Sequence, residues 1–128
     1  MIIFDTLENL ELYCSISSNF QAVIDTMDRH LPYDQSPGSY SVKENGKVKY
    51  KIDAYLTSNG GKIEALSSAS LGVYIILEGQ EICSFDERSV FRMLNGRFLI
   101  FSSDEVMKKG VLETLPYSVK SVLFTLED

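Results

Sequence analysis

Apolar positions change period about a third of the way along the chain. Phe20, Val23, Ile24 and Met27 fall three and four apart, the stripe of an amphipathic helix. Ser18, three residues before Gln21, has capping-box spacing at its start. Pro32 disfavours helix in the residue ahead of it, and Pro32 to Ser39, with two prolines and a glycine, reads as a linking loop. Upstream, Asp5 and Glu8 repeat the capping spacing and Leu7, Leu10 and Leu12 follow, so a first helix is expected there. Residues 1–31 are therefore expected to form a helical lead-in.

From Tyr40 the pattern alternates. Val48, Tyr50, Ile52, Ala54 and Leu56 share one face of a strand; Lys49, Lys51, Asp53, Tyr55 and Thr57 share the other. Asn45-Gly46 ahead of this strand has the composition of a tight type I′ hairpin turn, and Asn95-Gly96 repeats the signal. Asn59-Gly60-Gly61, Glu78-Gly79, Asp86-Glu87-Arg88 and Lys109-Gly110 read as further turns. Leu71 to Leu77 is apolar on both faces, which suits a strand buried on both sides. Seven or eight short strands at regular spacing predict an all-β sandwich or open barrel over residues 40–126.

The 128 residues have the length of one domain, 1–128, and at 45% hydrophobic composition they can bury a real core. A net charge of -6 argues against nucleic acid or an anionic membrane as partner. No apolar run is long enough to span a bilayer. Met1-Ile2-Ile3-Phe4-Asp5 lacks a basic leader segment, which together with two unpaired cysteines, Cys14 and Cys83, suggests a cytoplasmic protein.

Candidate chemistry is sparse. His30 is the sole histidine, and a transition-metal centre of the type such β-barrels use needs two or three imidazoles with a carboxylate. Its place near the end of the second helix suits capping or plain exposure. Tyr55 lies on the polar strand face beside Thr57 and could stack on a sugar or pack as an ordinary cross-strand aromatic. Ser67, Ser68 and Ser70 offer hydroxyls without a nucleophile elbow or a histidine to activate them. Lysines 43, 47, 49 and 51 form a basic strip, read as a solvated edge strand guarded by charge.

Three segments in order carry a resemblance. Met1-Ile2-Ile3-Phe4-Asp5-Thr6-Leu7-Glu8-Asn9-Leu10, Gly96-Arg97-Phe98-Leu99-Ile100-Phe101 with the acidic pair and Gly110-Val111 after it, and Pro116 through Val119-Lys120 into an apolar end resemble the YhcH/YjgK/YiaL family. That family includes the small subunit of an evolved β-galactosidase and a sialic-acid anomerase. Tyr55-Leu56-Thr57 and Ile63-Glu64-Ala65 are similar to two more of its elements. The resemblance implies a mostly β, cupin-like double-stranded β-helix (a jelly-roll barrel) behind two short N-terminal helices, with a metal-binding mouth that acts on sugars. It makes Glu64 a metal-ligand position. The two expected histidines are replaced by Leu66 and Met107.

The resemblance therefore implies a dismantled metal site and no cofactor. Three functions follow as expectations. One is a carbohydrate or sugar-acid binder, or an accessory subunit to a sugar-processing enzyme, with a shallow pocket lined by Tyr55, Glu64, Met107 and Lys120. The second is a metal-free anomerase or mutarotase in which Glu64 and Lys120 share proton transfer; this needs Glu64 buried, so that desolvation raises its pKa. In both cases the plain alternative is a solvated surface carboxylate and lysine. The third is a non-catalytic structural protein, a homodimer with a filled barrel.

Overall fold

The computed structural model describes residues 1–66 and 69–127. Its strands are β1 (Ile2–Thr6), β2 (Gly38–Ser41), β3 (Val48–Leu56), β4 (Lys62–Ala65), β5 (Leu71–Glu78), β6 (Glu81–Ser84), β7 (Val90–Met93), β8 (Arg97–Ser102), β9 (Val106–Val111) and β10 (Ser118–Leu126). A 3₁₀ segment runs from Leu7 to Ile16, and helices α1 (Phe20–Asp28) and α2 (Leu31–Asp34) follow. Six strands form one antiparallel sheet in the order β1-β8-β5-β10-β3-β2, and four form a second in the order β4-β9-β6-β7.

Three layers result, and they explain the apolar run in β5. One face of the larger sheet carries Val73, Ile75, Phe98, Ile100, Val122 and Phe124 against Phe20, Val23, Ile24 and Met27 of α1. The other face carries Tyr74, Ile76, Leu99, Phe101 and Leu123 against Cys83, Met93 and Met107 of the smaller sheet. A strand in the middle layer has no solvent face, so alternation disappears. Gly72 makes room for two side chains: a Cβ there would stand 2.9 Å from both Leu66 Cδ2 and the Cζ of Phe101, its cross-strand partner on β8.

Several expectations need correction. Residues 2–6 are not helical; they add an edge strand, with Ile2 opposite Phe101 and Thr6 opposite Arg97. Asp5 makes no capping box. It accepts hydrogen bonds from the Thr6 N–H at 2.7 Å, Asn9 Nδ2 at 2.9 Å and the Tyr13 hydroxyl at 2.5 Å, and so ties the strand to the 3₁₀ segment. The cap of α1 is Asn19, whose side chain instead donates to the Glu127 carbonyl. Pro32 lies within α2 rather than in a loop.

Asn45-Gly46 lies in a longer connection, closed by the Val42 N–H donating to the Val48 carbonyl. Asn95-Gly96 does turn the chain, but it links β7 and β8 of different sheets and is no hairpin. Lys109-Gly110 is not a turn. It lies inside β9, where Gly110 adopts φ 72° beside a register irregularity against β6, a bulge in the sense of a strand that re-aims its side chains.

Candidate functional site

β3 projects Lys51, Asp53 and Tyr55 into the space between the sheets, because alternation puts Tyr50 and Ile52 on the helix side. From the facing sheet, β4 projects Glu64, β9 projects Met107 and Lys109, and β6 projects Glu81 and Cys83. Glu64 and Met107 are register partners.

Lys109 is the hub. It is 1% exposed, and its ammonium meets Glu64 Oε1 at 2.8 Å and Asp53 Oδ2 at 3.2 Å. It also lies 5.1 Å from the Tyr55 ring centroid and 5.5 Å from that of Tyr74, within cation–π range. Burial pushes the Glu64 carboxyl up, but Lys109 and Lys51 outweigh it and hold the pKa below the usual carboxylate value. For Asp53 burial again pushes up, and Lys109 with Lys62 brings the net shift down.

Deeper in, Glu81 is buried and accepts hydrogen bonds from the Tyr55 hydroxyl, from the Tyr74 hydroxyl at 2.7 Å and from the Cys83 thiol at 2.9 Å. The two tyrosine oxygens are 2.7 Å apart. Burial, then the Glu81 charge, raises the pKa of both tyrosines and of Cys83, so all three remain protonated donors at neutral pH. Ser121 Oγ is buried beside them and has no hydrogen-bond partner among the described residues. Beyond Glu81 the free space is about 10 Å³, room for one water and no ligand.

Tyr55, Glu64, Met107 and Lys120 do not share a cavity. Tyr55 is committed to Glu81, and Met107 is fully buried in the apolar core. Lys120 points to the other side of the larger sheet, where its ammonium donates to the Tyr33 carbonyl at 2.8 Å. Glu64 and Lys120 therefore cannot exchange a proton through one substrate. Glu64 has a lowered pKa, the opposite of what proton transfer near neutrality requires. His30 is exposed, in the left-handed conformation at φ 59° between α1 and α2. Ser67 and Ser68 lie outside the described residues. Ser70 Oγ donates to the Leu126 carbonyl.

A metal ion, implied by the resemblance, does not fit the donor set. The Glu64 oxygens are taken by two ammonium groups, and its cross-strand neighbour is the thioether Met107. Among the described residues, no three His, Cys, Asp or Glu side chains come together as a metal site.

The open space lies outside the filled interior. A cleft of about 390 Å³ runs between the β2–β3 edge of the larger sheet and β4. Its floor is two cross-strand rows, Ser39–Lys51–Leu123 and Ser41–Lys49–Thr125, and Glu64 and Ala65 form its wall. Lys51 donates to Glu64 at 2.8 and 3.1 Å from this cleft, while Lys109 holds the same carboxylate from inside. At the opposite end the sheets are shut by Phe4, Phe85, Phe91 and Phe101, with ring centroids 5.1 to 6.1 Å apart.

No family model matches the sequence, and no curated protein matches it. The fold does match solved structures. A cupin protein from Bacteroides fragilis superposes with a TM-score of 0.58 at 11% identity, covering 73% of this chain and 78% of the other. A cupin-2 domain protein from Shewanella frigidimarina gives 0.51 at 14% identity over 85% of this chain and 99% of the other. An RmlC-like cupin from Desulfovibrio desulfuricans gives 0.51 at 15% identity over 73% and 84%. The chain has a cupin-like β-sandwich fold. No helix among the described residues is long and apolar enough to cross a membrane.

Proposed function

We propose that this chain is a cupin-type binding domain, not a metal enzyme, and that its ligand is a small anion rich in hydroxyl groups, of the sugar-acid class, taken up in the cleft between β2–β3 and β4. The observation that carries this reading is a local reversal of charge. In a chain of net charge -6, the charged lining of this cleft is two lysines, Lys49 and Lys51, against one carboxylate, Glu64, which the buried Lys109 also neutralises. Glu64 already holds the buried Lys109, so Lys51 can turn to a ligand carboxylate without leaving Glu64 unpaired. Ser39, Ser41 and Thr125 supply hydroxyls that both donate and accept, as a polyol requires. The volume lies at the low end of small-molecule sites. The resemblance to the YhcH/YjgK/YiaL family supports a sugar-related ligand, and the separation of Glu64 from Lys120 favours binding over anomerisation.

Calorimetric titration with galacturonate, N-acetylneuraminate and neutral galactose tests it. The acids should bind and galactose should not, and Lys49→Ala with Lys51→Ala should weaken the acids at least about tenfold, roughly 1.4 kcal/mol. Equal affinity for galactose, or no effect of the double substitution, would contradict it.

A second reading has its own observation and is compatible with the first. Ile63, Val90 and Val106 are exposed on the outer face of the smaller sheet, with Ile82, Phe85 and Val111 beside them and a groove of about 500 Å³ between. Lys108 lies within this patch, and Asp86 and Glu87 lie on its rim. An isologous interface brings the same surface together from both sides, and a patch that carries both a lysine and carboxylates suits a second copy of the chain. Sedimentation of the wild type against Ile63→Lys decides it: a dimer that becomes monomeric is expected, and a wild-type monomer at millimolar concentration rules it out.

A further inference from the structure

We propose that the Lys109 ammonium is the barrel's own resident cation, occupying permanently the position toward which its carboxylates and aromatic faces are directed, so that the interior recruits no metal ion. Four groups of negative charge or potential converge on this one nitrogen from three strands. Asp53 and Tyr55 come from β3, Glu64 from β4 and Tyr74 from β5; the contacts are 3.2 Å and 2.8 Å to the carboxylates and 5.1 Å and 5.5 Å to the ring centroids.

The lysine reaches this point because its strand is built for it. Gly110, immediately after it, takes the left-handed conformation at φ 72°, and a Cβ there would already stand 3.6 Å from the Tyr55 ring. Met107 and Lys109 face inward by ordinary strand alternation, and the irregularity at Gly110 returns Val111 to the outer face. A buried ammonium without partners would cost several kcal/mol. Here the surroundings offer carboxylate oxygens and π-faces rather than the imidazoles that hold a borderline metal. Glu64 is the carboxylate that the resemblance would assign to a metal, and it already has an ammonium 2.8 Å away. The inference does not depend on what the cleft binds.

The test uses the purified chain and three variants. Zinc, manganese or nickel titrated into the wild type should give no stoichiometric binding and no change in melting temperature. Lys109→Met, which keeps the bulk and removes the charge, should lower the melting temperature by about 10 °C or more. Lys109→Ala, refolded with ethylammonium, should regain part of that loss, whereas the same concentration of ethanol should not restore it. If neither single variant folds, Lys109→Met combined with Asp53→Asn and Glu64→Gln should fold, because the carboxylates then lack the charge that needs a partner. The inference is overturned by stoichiometric metal in the dialysed wild type, by Lys109→Met as stable as wild type, by equal rescue with ethanol, or by failure of the triple variant where both singles fail.

Discussion

Glu64 holds its charge between two ammonium groups, one buried and one facing solvent, and this fixes the sign of its contribution to stability. Its pKa is lowered on folding, as is that of Asp53. A carboxyl with a depressed folded pKa stabilises the native state above its unfolded value, and that stabilisation is lost as pH falls through the folded pKa. Urea midpoints should therefore be level near neutrality and fall below about pH 4.5. Asp53→Asn with Glu64→Gln should lower the plateau and flatten the acid limb; a limb as steep as that of the wild type would assign the acid sensitivity elsewhere. Tyr74 presents a separate case. Its hydroxyl is buried and donates to Glu81, so Tyr74→Phe should cost about 1.5–3 kcal/mol in urea unfolding. A cost below about 0.5 kcal/mol would show that Glu81 is satisfied without it. At this scale the sequence was legible for His30, placed near the end of the second helix, and for Tyr55, placed on the polar face of β3. It was not legible for Lys109. A Lys-Gly pair has the composition of a turn, and nothing local says that the glycine is a bulge inside a strand. The useful signal was the inward alternation from Met107 to Lys109, visible only once β9 is recognised as a strand.

At the scale of elements, the alternating strands and the turns that separate them were readable because each pattern is local. The apolar stripe of α1 is buried as expected, with Phe20 and Val23 fully enclosed. β1 was misread because Asp5 and Glu8 mimic a helix start while the strand's pairing partner, β8, lies some ninety residues away. Likewise, a turn residue cannot say whether the strands it joins share a sheet; Gly96 and Gly79 both carry the chain from one sheet to the other. The tight fit of Leu66 and the Phe101 ring over Gly72 gives a direct check. Gly72→Ala should destabilise by about 1–3 kcal/mol, because Leu66 and the Phe101 ring must both move. An unchanged unfolding midpoint would mean that Leu66 and the Phe101 ring can shift there without cost.

For the whole molecule, the three-layer arrangement decides where a ligand can go. The larger sheet is covered on one side by helices and on the other by the smaller sheet, and the space between the sheets is filled by the Lys109 cluster at one level and the Glu81 cluster at the next. Aromatic rings close the β1 and β7 edge, and the β2, β3 and β4 edge stays open. The cupin-like fold and the absence of paired histidines could be read from the sequence. The separation of Glu64 from Lys120 could not, because register alone decides that Lys120 faces the helices. The most direct test of the account is chemical-shift mapping of galacturonate onto the ¹⁵N-labelled chain. Shifts are predicted at Ser39, Ser41, Lys49, Lys51, Glu64 and Thr125, with Tyr55, Tyr74 and Glu81 unmoved. Shifts centred on Tyr55, Tyr74 and Glu81 would mean that the interior opens to a ligand and would contradict it.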